Sequence, residues 1–137
     1  MNGTDFITLA GKLAASTGSD LDEARYRTAA SRAYYGAFHE VSSLLRELEV
    51  TVRRNAYGHQ DAYDQLWQSG HELARKVAGL LGDLRLNRIR ADYRLEHESF
   101  QDAILAKTCV ELAYDLKSCL DRCRIESDQI KAAIHKS

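Results

Sequence analysis

Ala30-Ser-Arg-Ala-Tyr-Tyr-Gly-Ala-Phe-His-Glu-Val-Ser-Ser-Leu-Leu-Arg-Glu-Leu48 decides the fold class. Ala30, Ala33, Tyr34, Ala37, Phe38, Val41, Leu44, Leu45 and Leu48 recur at intervals of three and four, which draws one apolar stripe along an α-helix. The helix extends back to about Leu21, with Asp20 as its N-cap and Glu23 completing a capping box. Arg32, Tyr35, Gly36, His39 and Ser43 form a second stripe on the opposite face. Gly36 costs helix stability unless a neighbouring backbone comes close. This face is therefore either exposed with one tolerated glycine or a packing surface for another helix or a second copy.

Similar patterns run outward in both directions. Thr4 to about Ser16 reads as a short first helix with Gly18 near its end. Residues 50–58 form a connection, and a third helix starts near His59. Gly82 kinks or interrupts this helix, whose pattern resumes through Ile89 and stops near Tyr93 to His97. Ser99 with Asp102 resembles a capping box ahead of a long helix carrying Cys109, Leu112, Leu116, Cys119, Leu120 and Cys123. Ser127 to Ser137 reads as a short, fraying helix. The expectation is an all-α, antiparallel bundle of four or five helices. It forms one domain over residues 1–137 with its core at about 20–124. The absence of proline agrees with that class.

The formal charge of −1 excludes a protein coated in positive charge, so any nucleic-acid contact must come from a local patch. The opening residues carry neither a signal peptide nor a membrane span. Three cysteines, Cys109, Cys119 and Cys123, fit reduced thiols packed in the core of a cytoplasmic protein rather than a metal site. No phosphate-binding glycine loop, zinc-protease motif, hydrolase serine elbow or converging carboxylate set is present. Neither a metal nor another cofactor is expected.

The local patch is Asn87-Arg-Ile-Arg-Ala-Asp-Tyr-Arg-Leu-Glu-His97. Arg85, Arg88, Arg90 and Arg94 crowd into ten residues, and His97 follows. Guanidinium groups hold phosphate oxygens in a planar fork, and an imidazole exchanges protons near neutral pH. Six residues separate Arg90 from His97, so a bend of the chain brings both onto one phosphate, with Arg85, Arg88 and Arg94 on neighbouring ones. The competing reading is a solvated helix end where arginines serve the negative pole of the dipole. Arg54 and His59 form a second pair, with four residues between them, which reads more simply as loop surface and a helix-border ring. His71 and His135 have no companions that suggest chemistry.

Ser31-Arg-Ala-Tyr-Tyr-Gly-Ala-Phe-His39, Gly58-His59 and Arg90-Ala-Asp-Tyr93, in that order, resemble the HEPN domain (higher eukaryotes and prokaryotes nucleotide-binding), in its small single-domain prokaryotic branch. The resemblance implies a HEPN-like helical bundle. It further implies a metal-independent endoribonuclease, a toxin or phage-defence component. Such a protein works as a homodimer, with motifs from both chains in one cleft and a nucleotidyltransferase-type antitoxin as partner. It implies Arg90 and His97 as catalytic residues, at the longest spacing of the family's arginine–histidine motif. Arg88, Arg94, Arg54 and His59 would be RNA contacts. The residue after the motif arginine is commonly polar, but here it is Ala91, and Ser99 stands where some toxins carry a tyrosine modified by their antitoxin. The family also contains inactive members, so a nucleotide- or RNA-binding or assembly module acting with a nucleotidyltransferase is the alternative.

Overall fold

A computed structural model describes residues 2–96 and 98–136. The chain forms an all-helical bundle: α1 (Gly3–Ala15), α2 (Asp22–Glu47), α3 (Gly58–Gln68), α4 (Glu72–Tyr93), α5 (Ile104–Ile125) and α6 (Ser127–Lys136), with a 3₁₀ turn at Glu98–Phe100. Among the described residues, six helices stand where four or five were expected. The extra one arises because the third helical stretch breaks at Ser69-Gly70-His71, not at Gly82. Gly70 takes φ +72°, a left-handed conformation that ends α3. His71 then caps α4, its Nδ1 accepting from the Leu73 amide at 3.2 Å. Gly82 remains inside a continuous α4.

α2 is the hub, packed by α1, α4 and α5. Its predicted stripe is the core: Ala30, Ala33, Tyr34, Ala37, Val41, Leu44, Leu45 and Leu48 are buried and Phe38 is half-buried. The second stripe is a packing surface where it contains Gly36. A Cβ there would lie 2.6 Å from the Gly3 carbonyl oxygen and 2.7 Å from Ile7 Cγ1, so only glycine admits α1 at this distance. Further along the same face, His39 stacks on Phe6 with ring centroids 5.7 Å apart.

Both predicted capping boxes are displaced. α2 begins at Asp22, whose carboxylate accepts from the amides of Gly18 and Ser19, and among the described residues no side chain caps it, Asp20 included. α5 begins at Ile104, where Asp102 accepts the Ile104 amide. The C-terminal segment is docked rather than fraying: Ile130 and Ile134 are buried, and the His135 ring meets the Leu48 carbonyl at 3.2 Å. Cys109, Cys119 and Cys123 are buried free thiols, as expected. Among the described residues, no helix is long and apolar enough to cross a membrane.

Candidate functional site

α4 descends antiparallel to α2, and the pairing fixes the candidate site: Arg27 meets residues 90–95, Ser31 meets Asp92, and Tyr35 meets Arg88. The last carbonyls of a helix have no partner within it. At α4 they are satisfied by Arg27, which is 8% exposed. Its Nη1 donates to the carbonyls of Arg90, Ala91 and Arg94, each at 3.1 Å, and its Nη2 donates to Leu95 at 2.9 Å. Glu23 pairs with the same guanidinium at 3.3 Å, and the Phe100 ring lies beneath it.

The negative pole of α4 is thus met from α2, which leaves the side chains of Arg90 and Arg94 without a capping role. Arg90 sits in the last helical turn, half-buried, and its guanidinium reaches Asn87 Oδ1 at 3.4 Å. Among the described residues, the Arg94 side chain makes no hydrogen bond or ion pair. His97 lies outside the described residues.

One turn earlier, Arg88 is immobilised. Its Nη2 donates to the Tyr35 hydroxyl at 2.8 Å, its Nε lies 3.0 Å from Asp92 Oδ2, and the rings of Tyr34, Tyr35 and Tyr93 surround its Cζ. The Nε–H is not aligned for a hydrogen bond to Asp92, so that contact is an ion pair. Ser31 Oγ donates to the same carboxylate oxygen at 3.2 Å. Arg88 is therefore held by groups within the fold.

His59, at the start of α3, turns inward. Its Nδ1 meets the Tyr34 hydroxyl at 3.2 Å, and its ring lies against Tyr34 and Phe38. Burial, and then the charge of Arg85, push its pKa down to about 4, so it is neutral at pH 7. Burial raises the Tyr34 hydroxyl against the pull of Arg85 and Arg88. Arg85 itself has no hydrogen bond or ion pair among the described residues.

Among the described residues, no carboxylate pairs with Arg85, Arg90 or Arg94. Arg90 and Arg94 flank Tyr93 at the end of α4, and cations so placed can bind phosphate oxygens. Arg85 lies instead near Tyr34 and His59, on whose titration its charge acts. Arg54 belongs to another segment. It is exposed on the 50–58 connection and lines a cleft of about 680 Å³ with Phe38, His39 and Arg46. Among the described residues, Arg54 makes no hydrogen bond or ring contact with His59.

Sequence reasoning missed Arg27 and counted Arg85 only as a flanking charge. The signal for Arg27 was a lone charge four residues before Ser31, on the same apolar stripe as Tyr34 and Phe38. No group of three or more His, Cys, Asp or Glu side chains that could hold a metal occurs among the described residues. Comparison with protein-family models, with curated proteins and with solved structures finds no match for this chain.

Proposed function

We propose that this chain is a metal-independent endoribonuclease of the HEPN type, cutting RNA by transfer of the 2′-hydroxyl onto the adjacent phosphorus. One observation carries the reading: Arg27 caps α4, so the Arg90 and Arg94 guanidiniums are left for an anion. In this mechanism His97 takes the 2′-hydroxyl proton, and the 2′-oxygen attacks phosphorus. Arg90 stabilises the charge on the phosphorane oxygens, and the 5′-oxygen leaves with the proton that His97 took. The products are a 2′,3′-cyclic phosphate and a 5′-hydroxyl. DNA lacks the nucleophile and survives.

The same reading assigns a homodimer with a composite cleft, a nucleotidyltransferase-type antitoxin as partner, and a role in a toxin pair or phage defence. His97→Ala and Arg90→Ala, assayed on RNA with chelator present, test it. Losses of about 10²–10³ in rate are expected for Arg90→Ala. Wild-type rates in both variants end the assignment.

A second reading is a non-catalytic RNA- or nucleotide-binding module. It is favoured by Ala91, which is 2% exposed and offers a substrate no polar group beside Arg90. RNA bound but uncut after long incubation selects this reading.

A further inference from the structure

We propose that Tyr93 is a stacking platform for an unpaired nucleobase, with the neighbouring Arg90 and Arg94 taking the phosphate of the same nucleotide. The inference rests on the reading that this end of α4 meets an RNA strand. Tyr93 is a large aromatic that is 68% exposed in the last turn of α4. Exposed aromatics need no explanation one at a time, but this ring is held from behind. The Arg88 guanidinium lies over it, 5.3 Å from its centroid. Arg88 is itself fixed by the Tyr35 hydroxyl and by Asp92, which Ser31 also holds. One face of the ring is thus backed by an anchored cation, and its exposure leaves the other open to solvent. A ring braced in this way loses little freedom on receiving a partner.

What would cover the open face follows from the charges around it. Tyr93 is three residues after Arg90, on the same side of the helix, and adjoins Arg94. An apolar protein surface would have to desolvate both guanidiniums, which no carboxylate pairs among the described residues. A nucleotide brings a flat π-face for the tyrosine and a phosphate for the arginines within one unit. The base must be unstacked to reach the ring. Loops and single strands satisfy that condition, and a continuous duplex does not.

The experiment is fluorescence anisotropy of the full chain with fluorescein-labelled 2′-O-methyl oligonucleotides, which cannot be cleaved. One probe is a single strand of mixed sequence, and the other is the same strand annealed to its complement. Tyr93→Ala is expected to weaken single-strand binding on the order of tenfold, Tyr93→Phe to retain it, and neither to change duplex binding. Wild-type affinity of Tyr93→Ala for the single strand overturns the platform and leaves the cleavage reading standing. Equal losses on both probes also overturn the platform. If wild type binds neither probe, platform and cleavage reading fall together. If Arg90→Ala and His97→Ala cut RNA at wild-type rates while Tyr93→Ala behaves as expected, only the cleavage reading falls.

Discussion

The guanidinium of Arg27 donates to the main-chain carbonyl of Arg90, 63 residues further along the chain, at 3.1 Å. The contact ties the first turns of α2 to the turn that presents the candidate site. Arg27→Ala leaves the carbonyls of residues 91, 94 and 95 without their side-chain donor, that of Arg90 with only the Arg94 amide, and Glu23 without its counter-ion. We expect a loss of about 2–4 kcal/mol in urea unfolding, since hydrogen bonds from a charged donor are worth more than neutral ones. Arg27→Lys should recover only part of it, because an ammonium lacks the planar fork. A change below about 0.5 kcal/mol in Arg27→Ala, the level of an ordinary surface substitution, would refute the clamp.

The glycines divide by what surrounds them. Gly36→Ala forces a methyl into the Gly3 backbone and the Ile7 side chain, so it should cost about 1–3 kcal/mol by overpacking. Gly79 lies exposed in the middle of α4, and a methyl added there would meet nothing within 4 Å. Gly79→Ala should therefore stabilise by about 0.5–1 kcal/mol. Thermal unfolding of the two variants should move in opposite directions. Equal shifts would count against the close crossing of α1 and α2.

His59 gives the fold a pH dependence. Its pKa falls from 6.5 in the unfolded chain to about 4 in the folded one, so the unfolded state binds the extra proton between those values. Stability from this group is therefore complete above about 6.5 and is lost as the pH falls toward 4. The slope is at most about 1.4 kcal/mol per pH unit, and solvent access to the half-buried ring trims it. Asp61, held down to about 2 by its hydrogen bonds from Arg53, acts in the same sense but below this window. Unfolding in urea at pH 5 and pH 7 should show a smaller difference for His59→Gln than for wild type. Identical differences would remove His59 as the source.

The thiols should be silent in the folded protein. Burial pushes both Cys109 and Cys123 up to about 11, and Cys119 is buried beside them. A disulfide reagent at neutral pH should therefore titrate three thiols only after denaturation. Rapid reaction of any one in native buffer would contradict the packing of α5.

The helical class was legible because α2 carries its core stripe in a strict three-and-four rhythm, and that rhythm is a local property of the sequence. The break between α3 and α4 was not. Gly70 and Gly82 are alike as letters, and only the backbone distinguishes a glycine at φ +72° from one inside a helix. The Asp20–Glu23 capping box misled for a related reason, because the pattern is there in the letters while α2 starts at Asp22 with no side-chain cap and the Asp22 carboxylate holds the preceding turn. At the candidate site, the arginine cluster was readable and its division of labour was not. Which of Arg85, Arg88 and Arg90 is consumed internally depends on Tyr35 and Asp92, and the capping duty of Arg27 depends on a partner helix far along the chain.

α1 bears on how two copies could meet. It lies on Gly36 so closely that nothing else fits there, and a short link over residues 16–21 tethers it to α2. A tethered occupant competes at an effective concentration of about millimolar. A second molecule seeking the same strip of α2 at micromolar concentration would face a rival roughly a thousandfold in excess. Self-association of this chain is thereby steered toward surfaces that α1 does not cover.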